Sequence, residues 1–226
     1  MLESILAIGM LVLGVLIERY VPLALKRLRE KRWKTYVLQE QPNRELITKL
    51  RPESKVDILG RKHTVKGFVV YSHGGERTYE FTLQVGPWER WLEFDGDDIK
   101  LWGAWSDAAL WGETERRDEP ESIRMKQISD AKSLELEVGG VGLEVKQEGK
   151  SSKYRLLWGT WGRDTAGRSS VMHYVEAGVM KNGRQALVNG RKQLVCLTAY
   201  GNQSIYESRY HLVGLELERR GIRIVD

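Results

Sequence analysis

The residues of this chain that could act in catalysis are few and widely spaced. The only cysteine, Cys196, lies in the apolar, strand-like stretch QLVCLTAY, which favours a buried small hydrophobe over a reactive thiol. Neither His-x-x-x-His nor His-Glu-x-x-His occurs, so the zinc-protease motif is absent. The histidines are His63, His73, His173 and His211. We therefore expect no catalytic residue, no metal ligand and no cofactor site that a motif would identify.

Three short stretches have the composition of functional loops, and each is better explained as a β turn. SHGGE (72–76) is similar to an esterase oxyanion loop, but the Gly-x-Ser-x-Gly nucleophile motif is missing. DGDD (95–98) carries carboxylates without the ligand spacing of an EF-hand. GRDTAGRSS (162–170) offers arginines and hydroxyls to a phosphate but lacks a strand-to-helix context. None of them predicts a site.

Tryptophan is the more unusual feature, with eight residues in the chain. They could pack a β core, line a hydrophobic surface for a protein or lipid partner, or stack on single-stranded nucleic acid. The last use normally needs a basic groove, and residues 35–226 have nearly balanced charge. The candidate partner surface consists of Trp88, Trp91, Trp102, Trp105, Trp158 and Trp161.

Most of the chain has the pattern of antiparallel β structure. In residues 78–85 apolar and polar side chains alternate strictly, which indicates a half-buried strand. Similar runs continue to the C-terminus, and Asn182-Gly183 and Asn189-Gly190 are strong hairpin-turn signals. The sequence therefore predicts a mainly β fold, an antiparallel β-sandwich or barrel-like domain, over residues 56–226.

A highly charged stretch divides this β region. We expect β lobe 1 over residues 56–111, a charged connector over 112–130 with a short helix at about 119–128, and β lobe 2 over 131–226. LWGAWSD (101–107) and LWGTWGRD (157–164) are similar. The two lobes are thus either duplicated units or a coincidence in a tryptophan-rich chain.

Part of lobe 1 resembles a known family. VKGF (65–68), YEFTLQVG (79–86), RWLEFD (90–95) and LW (101–102) resemble a bacterial family of small β-rich domains of unknown function, over about residues 56–111. The resemblance implies a β module. That family has no established catalytic residues, so the resemblance implies none here and favours a non-enzymatic role.

The N-terminus is read best as a membrane anchor over residues 1–25. Residues 5–17 are apolar or glycine, and continuing the run to Leu25 gives the length of about 20 residues that a span needs. Glu18 and Arg19 fall in its second half. A cleaved signal peptide would need basic residues before the apolar run, and an amphipathic helix would need polar positions at helical spacing; both are alternatives.

A basic juxtamembrane helix and linker are expected over residues 26–55. Trp33 lies where an interfacial aromatic residue is typical. The basic collar, as we call it, consists of Lys26, Arg27, Arg29, Lys31, Arg32 and Lys34. Basic residues beside a span remain cytoplasmic, so the expected topology is single-pass, with the N-terminus outside and the large domain cytoplasmic.

Together these features predict a membrane-anchored, cytoplasm-facing accessory or assembly subunit of a membrane protein complex, without catalytic activity. The expected partners are membrane lipids and other membrane subunits, not nucleic acid. The anchor residues expected to contact them are Gly9, Gly14, Glu18 and Arg19. Two alternatives stay open: a lipid- or small-ligand-binding β-barrel module, and a membrane-tethered enzyme whose site is assembled from distant residues.

Overall fold

A computed structural model describes isolated residues between 10 and 37, and the continuous ranges 39–73, 76–115, 117–118, 135–138, 141–159, 169–200 and 210–225. The chain divides into two compact units, Met1–Glu40 and Gln41–Asp226. In the first unit Met10, Gly14, Ile17 and Tyr20 have helical backbone. Among the residues that the structure describes, none of the helices is both long and apolar enough to cross a membrane.

The second unit is built from β-strands. Its described residues form β1 (Lys55–Ile58), β2 (Arg61–His73), β3 (Glu76–Val85), β4 (Trp88–Asp95), β5 (Asp98–Ala104), β6 (Glu135–Val138), β7 (Val141–Gly159), β8 (Ser169–Lys181), β9 (Arg184–Gln185), β10 (Leu187–Val188), β11 (Arg191–Tyr200), β12 (Tyr210–Leu217) and β13 (Ile222–Val225). The predicted mainly β, antiparallel fold is therefore confirmed.

The strands pair in the order β13-β1-β2-β3-β4-β5-β12-β11-β8-β7-β6, and every pairing is antiparallel. The C-terminal half of β2 pairs in addition with the end of β7, where Val70 lies opposite Trp158. Following the pairings from β2 through β12 to β7 thus leads back to β2, and eight strands form a closed circuit.

Short hairpins set the register of the first five strands. β3 and β4 are joined by Gly86-Pro87, and β4 and β5 by Gly96-Asp97. Both glycines have φ near +58°, a conformation that glycine adopts without steric cost. Because side chains alternate between the faces of a strand, this register separates an apolar face from a polar face. Phe81, Leu92 and Leu101 lie in one row of the apolar face and are at most 1% exposed.

In the part of the domain that the structure describes, two short α-helices accompany the strands. Helix α1 (Arg44–Lys49) follows Asn43 and ends before Pro52, and it buries Leu46 and Ile47. Helix α2 (Ala108–Trp111) was not predicted. It lies against the apolar face, because a Cβ added at Gly103 would come within 2.6 Å of a Leu110 methyl group. A 3-10 turn at Arg219–Gly221 precedes β13.

The predicted division into two lobes does not coincide with separate compact units. Strands from both predicted lobes pair directly, β5 with β12 and β2 with β7, and residues 41–226 form a single compact unit. The short helix expected in the charged connector, over about residues 119–128, lies outside the described residues.

Candidate functional site

A row of ionisable side chains crosses the polar face of the sheet. Glu80 of β3 lies opposite Glu93 of β4, which lies opposite Lys100 of β5. The Lys100 Nζ lies 3.8 Å from a Glu93 carboxylate oxygen and donates a 2.7 Å hydrogen bond to Glu176 Oε2 of β8. The side chain of Lys100 is 6% exposed, that of Glu176 12% and that of Glu93 22%. We call these four residues the polar row.

The contact between Lys100 and Glu176 shows how the sheet is curved. The order β5-β12-β11-β8 places their strands three steps apart. In a flat sheet their backbones would be at least about 14 Å apart and their side chains would project in parallel. A 2.7 Å contact between them requires the sheet to curl toward its polar face. The polar row therefore lies on a concave face.

Burial on this face changes the acidity of two carboxyl groups. Burial, together with the neighbouring carboxylates of Glu93 and Glu89, raises the pKa of Glu80 to about 8. Burial also raises the pKa of Glu93 to about 7, although Lys100 opposes this shift. A carboxyl group transferred out of water favours its neutral form. Both groups consequently exchange protons near neutral pH.

Two further groups, the Lys100 ammonium of the row and the Cys196 thiol beside it, both keep their protons. Burial disfavours the charge of Lys100, but the Glu93 and Glu176 carboxylates outweigh it and raise the pKa of this ammonium group above its usual value. Burial, aided by Glu93 and Glu176, raises the pKa of the Cys196 thiol. Cys196 thus remains a neutral thiol, which is a weak nucleophile.

A second row of side chains on the same face contains two tryptophans and a buried hydroxyl group. Thr82 of β3 lies opposite Trp91 of β4, which lies opposite Trp102 of β5. Thr82 is 3% exposed, and its Oγ1 has no hydrogen-bond partner among the residues that the structure describes. Trp91 is half-buried. The Trp102 side chain donates a hydrogen bond to Glu93 and covers Gly214 of β12, where a Cβ would approach its ring to 2.3 Å.

A separate buried ion pair holds helix α2 in place. Arg90 Nε donates to Asp107 Oδ2 at 2.8 Å and Arg90 Nη2 to Asp107 Oδ1 at 3.1 Å. His63 Nδ1 lies 2.8 Å from the Arg61 carbonyl oxygen, so it must donate there and His63 Nε2 is left to accept from Arg90 Nη1 at 3.4 Å. Burial, with Arg90 nearby, lowers the pKa of His63. A permanently charged arginine cannot act as a base, so this cluster is structural.

The residues described include no group of three His, Cys, Asp or Glu side chains placed to hold a metal ion. The polar row offers instead two carboxyl groups that can gain or lose a proton near pH 7, one ion-paired ammonium group and a neighbouring aromatic row. Such a surface can bind a polar ligand of complementary charge.

The tryptophans of the predicted partner surface occupy different environments. Trp105 is 0% exposed and Trp102 is 3% exposed, which corrects their assignment to a surface for protein or lipid: they pack inside the domain, as does Trp111. Trp88 and Trp91 are half-buried. Trp158 lies in β7, and Trp161 lies outside the described residues.

The predicted membrane and partner contacts are mostly outside the described residues; these are Gly9, Arg19, Lys26, Arg27, Arg29, Lys31, Arg32 and Lys34. Gly14 and Glu18 have helical backbone and are exposed. Trp33 is 3% exposed, which corrects its assignment to an interfacial belt, because a side chain covered by protein presents no surface to lipid.

Sequence analysis missed the polar row entirely. The alternation in β3 and β4 places Glu80 and Glu93 on a polar face, and such a face is ordinarily solvated. A signal was nevertheless present, since Thr82, Trp91 and Trp102 share that face with them. Large aromatic side chains beside charged ones on the expected solvent face indicate a face that is covered or concave.

The fold and the site together define a β-rich domain with a concave, polar face. The profile of the family described as Domain of unknown function (DUF4178) matches residues 51–184, which is more than half of the chain, and the protein belongs to this family. The resemblance found over residues 56–111 is thereby confirmed and extended. No curated protein and no solved structure gives a significant match.

Proposed function

We propose that this protein is a membrane-tethered accessory protein whose β domain binds a small polar ligand on its concave face. The proposal joins the anchored, non-catalytic role expected from the N-terminal sequence with the ligand-binding alternative. The observation that carries it is the hydroxyl of Thr82, which is buried without a partner beside the polar row. A buried hydroxyl without a hydrogen bond is costly, and a bound ligand would satisfy it.

The tether has its own support in the first unit. Large apolar side chains are exposed there, at 66% for Met10, 53% for Ile17, 57% for Tyr20 and 45% for Val21. Apolar surface concentrated on one segment is typical of contact with lipid or with another protein. The neighbouring basic collar suits an anionic membrane surface. Lipid and other membrane subunits are the partners that this segment would contact.

The ligand-binding part can be tested by thermal unfolding of the full-length protein with putrescine, succinate or glucose added. We expect one of these charge classes to raise the unfolding temperature. Thr82→Val should abolish or weaken that rise, because the isosteric side chain cannot form a hydrogen bond. The same variant without ligand should be as stable as the wild type or more so, since it removes the orphan hydroxyl.

A matched control is Thr48→Val in helix α1, because the Thr48 hydroxyl already donates to the Glu45 carbonyl oxygen at the domain surface. That variant should retain the full ligand effect. If none of the three compounds stabilises the protein, or if Thr82→Val responds as the wild type does, the concave face does not bind small polar molecules.

A further inference from the structure

We infer that the ligand of the concave face is a small organic cation with an ammonium group, held by the carboxylates of Glu80 and Glu93 and by the ring of Trp91. This inference rests on the proposed function and specifies the class of its ligand. It depends on three features: the charge balance of the polar row, the tryptophans of the row beside it, and the unpaired hydroxyl of Thr82 in that second row.

The charge balance of the polar row leaves room for a cation. Three carboxyl groups, those of Glu80, Glu93 and Glu176, face the single ammonium group of Lys100. That group is already shared by Glu176 at 2.7 Å and Glu93 at 3.8 Å. Among the described residues no lysine or arginine lies within ion-pair distance of Glu80. An added ammonium group would balance the remaining carboxylate charge, whereas an anion would be repelled by it.

The aromatic row favours an organic cation over a bare metal ion. Trp91 lies directly opposite Thr82 and one position along the same face from Glu93. A tryptophan ring attracts an ammonium group placed over its face, most strongly where water is excluded. The Trp102 ring is held over Gly214 and hydrogen-bonded to Glu93, so it fixes the orientation of one carboxylate. The described residues also lack a metal-binding group.

The hydroxyl of Thr82 gives the ligand a directional contact. Its Oγ1 is buried and unpartnered, and Thr82 lies two residues from Glu80 on the same face of β3. An ammonium group that bears hydrogen atoms can donate to this oxygen and to a carboxylate simultaneously. A quaternary ammonium ion would use only the ring and the charges.

Binding of a cation should be coupled to release of protons. Among the described residues, the titratable groups that act on Glu80 and Glu93 are Glu89, Asp95, Lys100, Glu176 and Cys196. Lys100 is the one cation among them, and Cys196 remains a neutral thiol. The pKa of Glu80 is about 8 and that of Glu93 about 7. At a pH below these values, an ammonium ion must therefore displace protons from the two carboxyl groups when it binds. Affinity should therefore increase from pH 6 to pH 8.

The test is isothermal titration calorimetry of the full-length protein in detergent with putrescine, choline, and 3,3-dimethylbutan-1-ol, the neutral isostere of choline. We expect at least one of the two cations to bind, with an affinity at least about fivefold higher at pH 8 than at pH 6, and no binding of the alcohol. Vesicles of phosphatidylcholine form a further arm. Binding to vesicles that Glu80→Gln weakens, without binding of either soluble cation, would place the ammonium group on a lipid headgroup.

Variants separate the roles of the residues. Glu80→Gln should reduce the affinity for the cation about tenfold or more and remove most of its pH dependence, and Trp91→Leu should reduce it at every pH. Glu144→Gln changes an exposed glutamate of β7 and should have no effect. Retained binding in Glu80→Gln, or equal binding of choline and its neutral isostere, would overturn the inference.

Failure of this inference and failure of the proposed function give different results. If succinate or glucose stabilises the protein and loses its effect in Thr82→Val, the concave face binds ligands but not cations. If neither cation binds in the calorimeter and neither succinate nor glucose acts through Thr82, the proposed function fails with it.

Discussion

At the scale of single residues, the polar row is where local pattern and three-dimensional structure diverge. Glu80 and Glu93 occupy ordinary polar positions of alternating strands, where a carboxylate is normally solvated and ionised. Curvature of the sheet places them on the concave side, and burial raises their pKa values to about 8 and about 7. The sequence carries the alternation, but curvature arises from pairings between strands far apart in the chain.

The shifted pKa values make a prediction for stability. Both groups bind protons more tightly in the folded chain than in the unfolded one, where their pKa is about 4.5. Stability should therefore be highest at low pH within this range and fall as pH rises toward 8, by at most about 1.4 kcal/mol per pH unit for each group. Urea unfolding of the full-length protein at pH 6, 7 and 8 measures this slope.

Glu80→Gln removes one of the two titrating groups and should flatten the slope, while the exposed control Glu144→Gln should leave it unchanged. A wild-type protein that gains stability between pH 6 and pH 8 would show that these carboxyls are solvated and ionised, contrary to their position on the concave face.

The buried pair of Arg90 and Asp107 makes a second prediction at this scale. Their side chains are 3% and 2% exposed, so Arg90→Met would leave the Asp107 carboxylate buried without its partner. We expect a loss of about 3–5 kcal/mol in the free energy of unfolding, measured by urea denaturation. Arg223→Met is the matched control, because Arg223 is 77% exposed and lies 3.8 Å from Asp57; that pair should contribute little. Similar losses in both variants would contradict this account.

At the scale of elements, turns were the most predictable features and helix α2 the least. Asn182-Gly183 and Asn189-Gly190 both have positive φ at each residue, the conformation that tight hairpins require and that Asn-Gly favours; this prediction is confirmed. Helix α2 has only four residues, too few for helical periodicity to be visible. What holds it is the contact of Asp107 with Arg90 and of the Leu110 carbonyl with Gln193, residues that are distant in sequence.

The close packing of β5 on β12 gives a prediction for an element. A Cβ at Gly214 would lie 2.3 Å from the Trp102 ring and 2.9 Å from the Leu101 carbonyl oxygen, so Gly214→Ala must displace Trp102. We expect a loss of about 1–3 kcal/mol in stability and a change in tryptophan fluorescence. Gly142→Ala in β7 is the control, because its nearest neighbour, the Met180 carbonyl oxygen, is 3.6 Å away. If both alanines are tolerated equally, the strands are not packed this closely.

At the scale of the whole molecule, the sequence predicted the class of fold but not its assembly. Alternation and turn signals are local, and they located the strands on both sides of the charged connector. The pairings of β5 with β12 and of β2 with β7 join residues more than 80 positions apart, and no local pattern specifies them. Long-range pairings also bring Lys100 to Glu176. The candidate site could therefore not be predicted from local sequence patterns either.

The last prediction concerns the attachment of the whole chain to a membrane. If residues 1–25 form the tether, the full-length protein should remain with membranes in alkaline carbonate, and residues 26–226 alone should be released as a soluble protein. Alkaline carbonate removes proteins that are held to the membrane only by charge. It does not extract apolar segments that are inserted in the bilayer. Immunoblots of the two fractions measure this, and protease added to sealed cells should leave residues 35–226 intact if the basic collar is cytoplasmic.

Changing the six residues of the basic collar to glutamine tests the electrostatic contribution separately. At about 1 kcal/mol per basic residue near an anionic surface, the variant loses attraction worth several kcal/mol, yet the apolar residues 5–17 are unchanged. It should therefore stay in the membrane fraction, while protease now digests part of the population because the orientation is mixed. Release of the wild-type protein by salt alone would show that the collar, and not the apolar segment, attaches the chain. A wild-type orientation in the glutamine variant would instead assign the collar to contact with a protein partner.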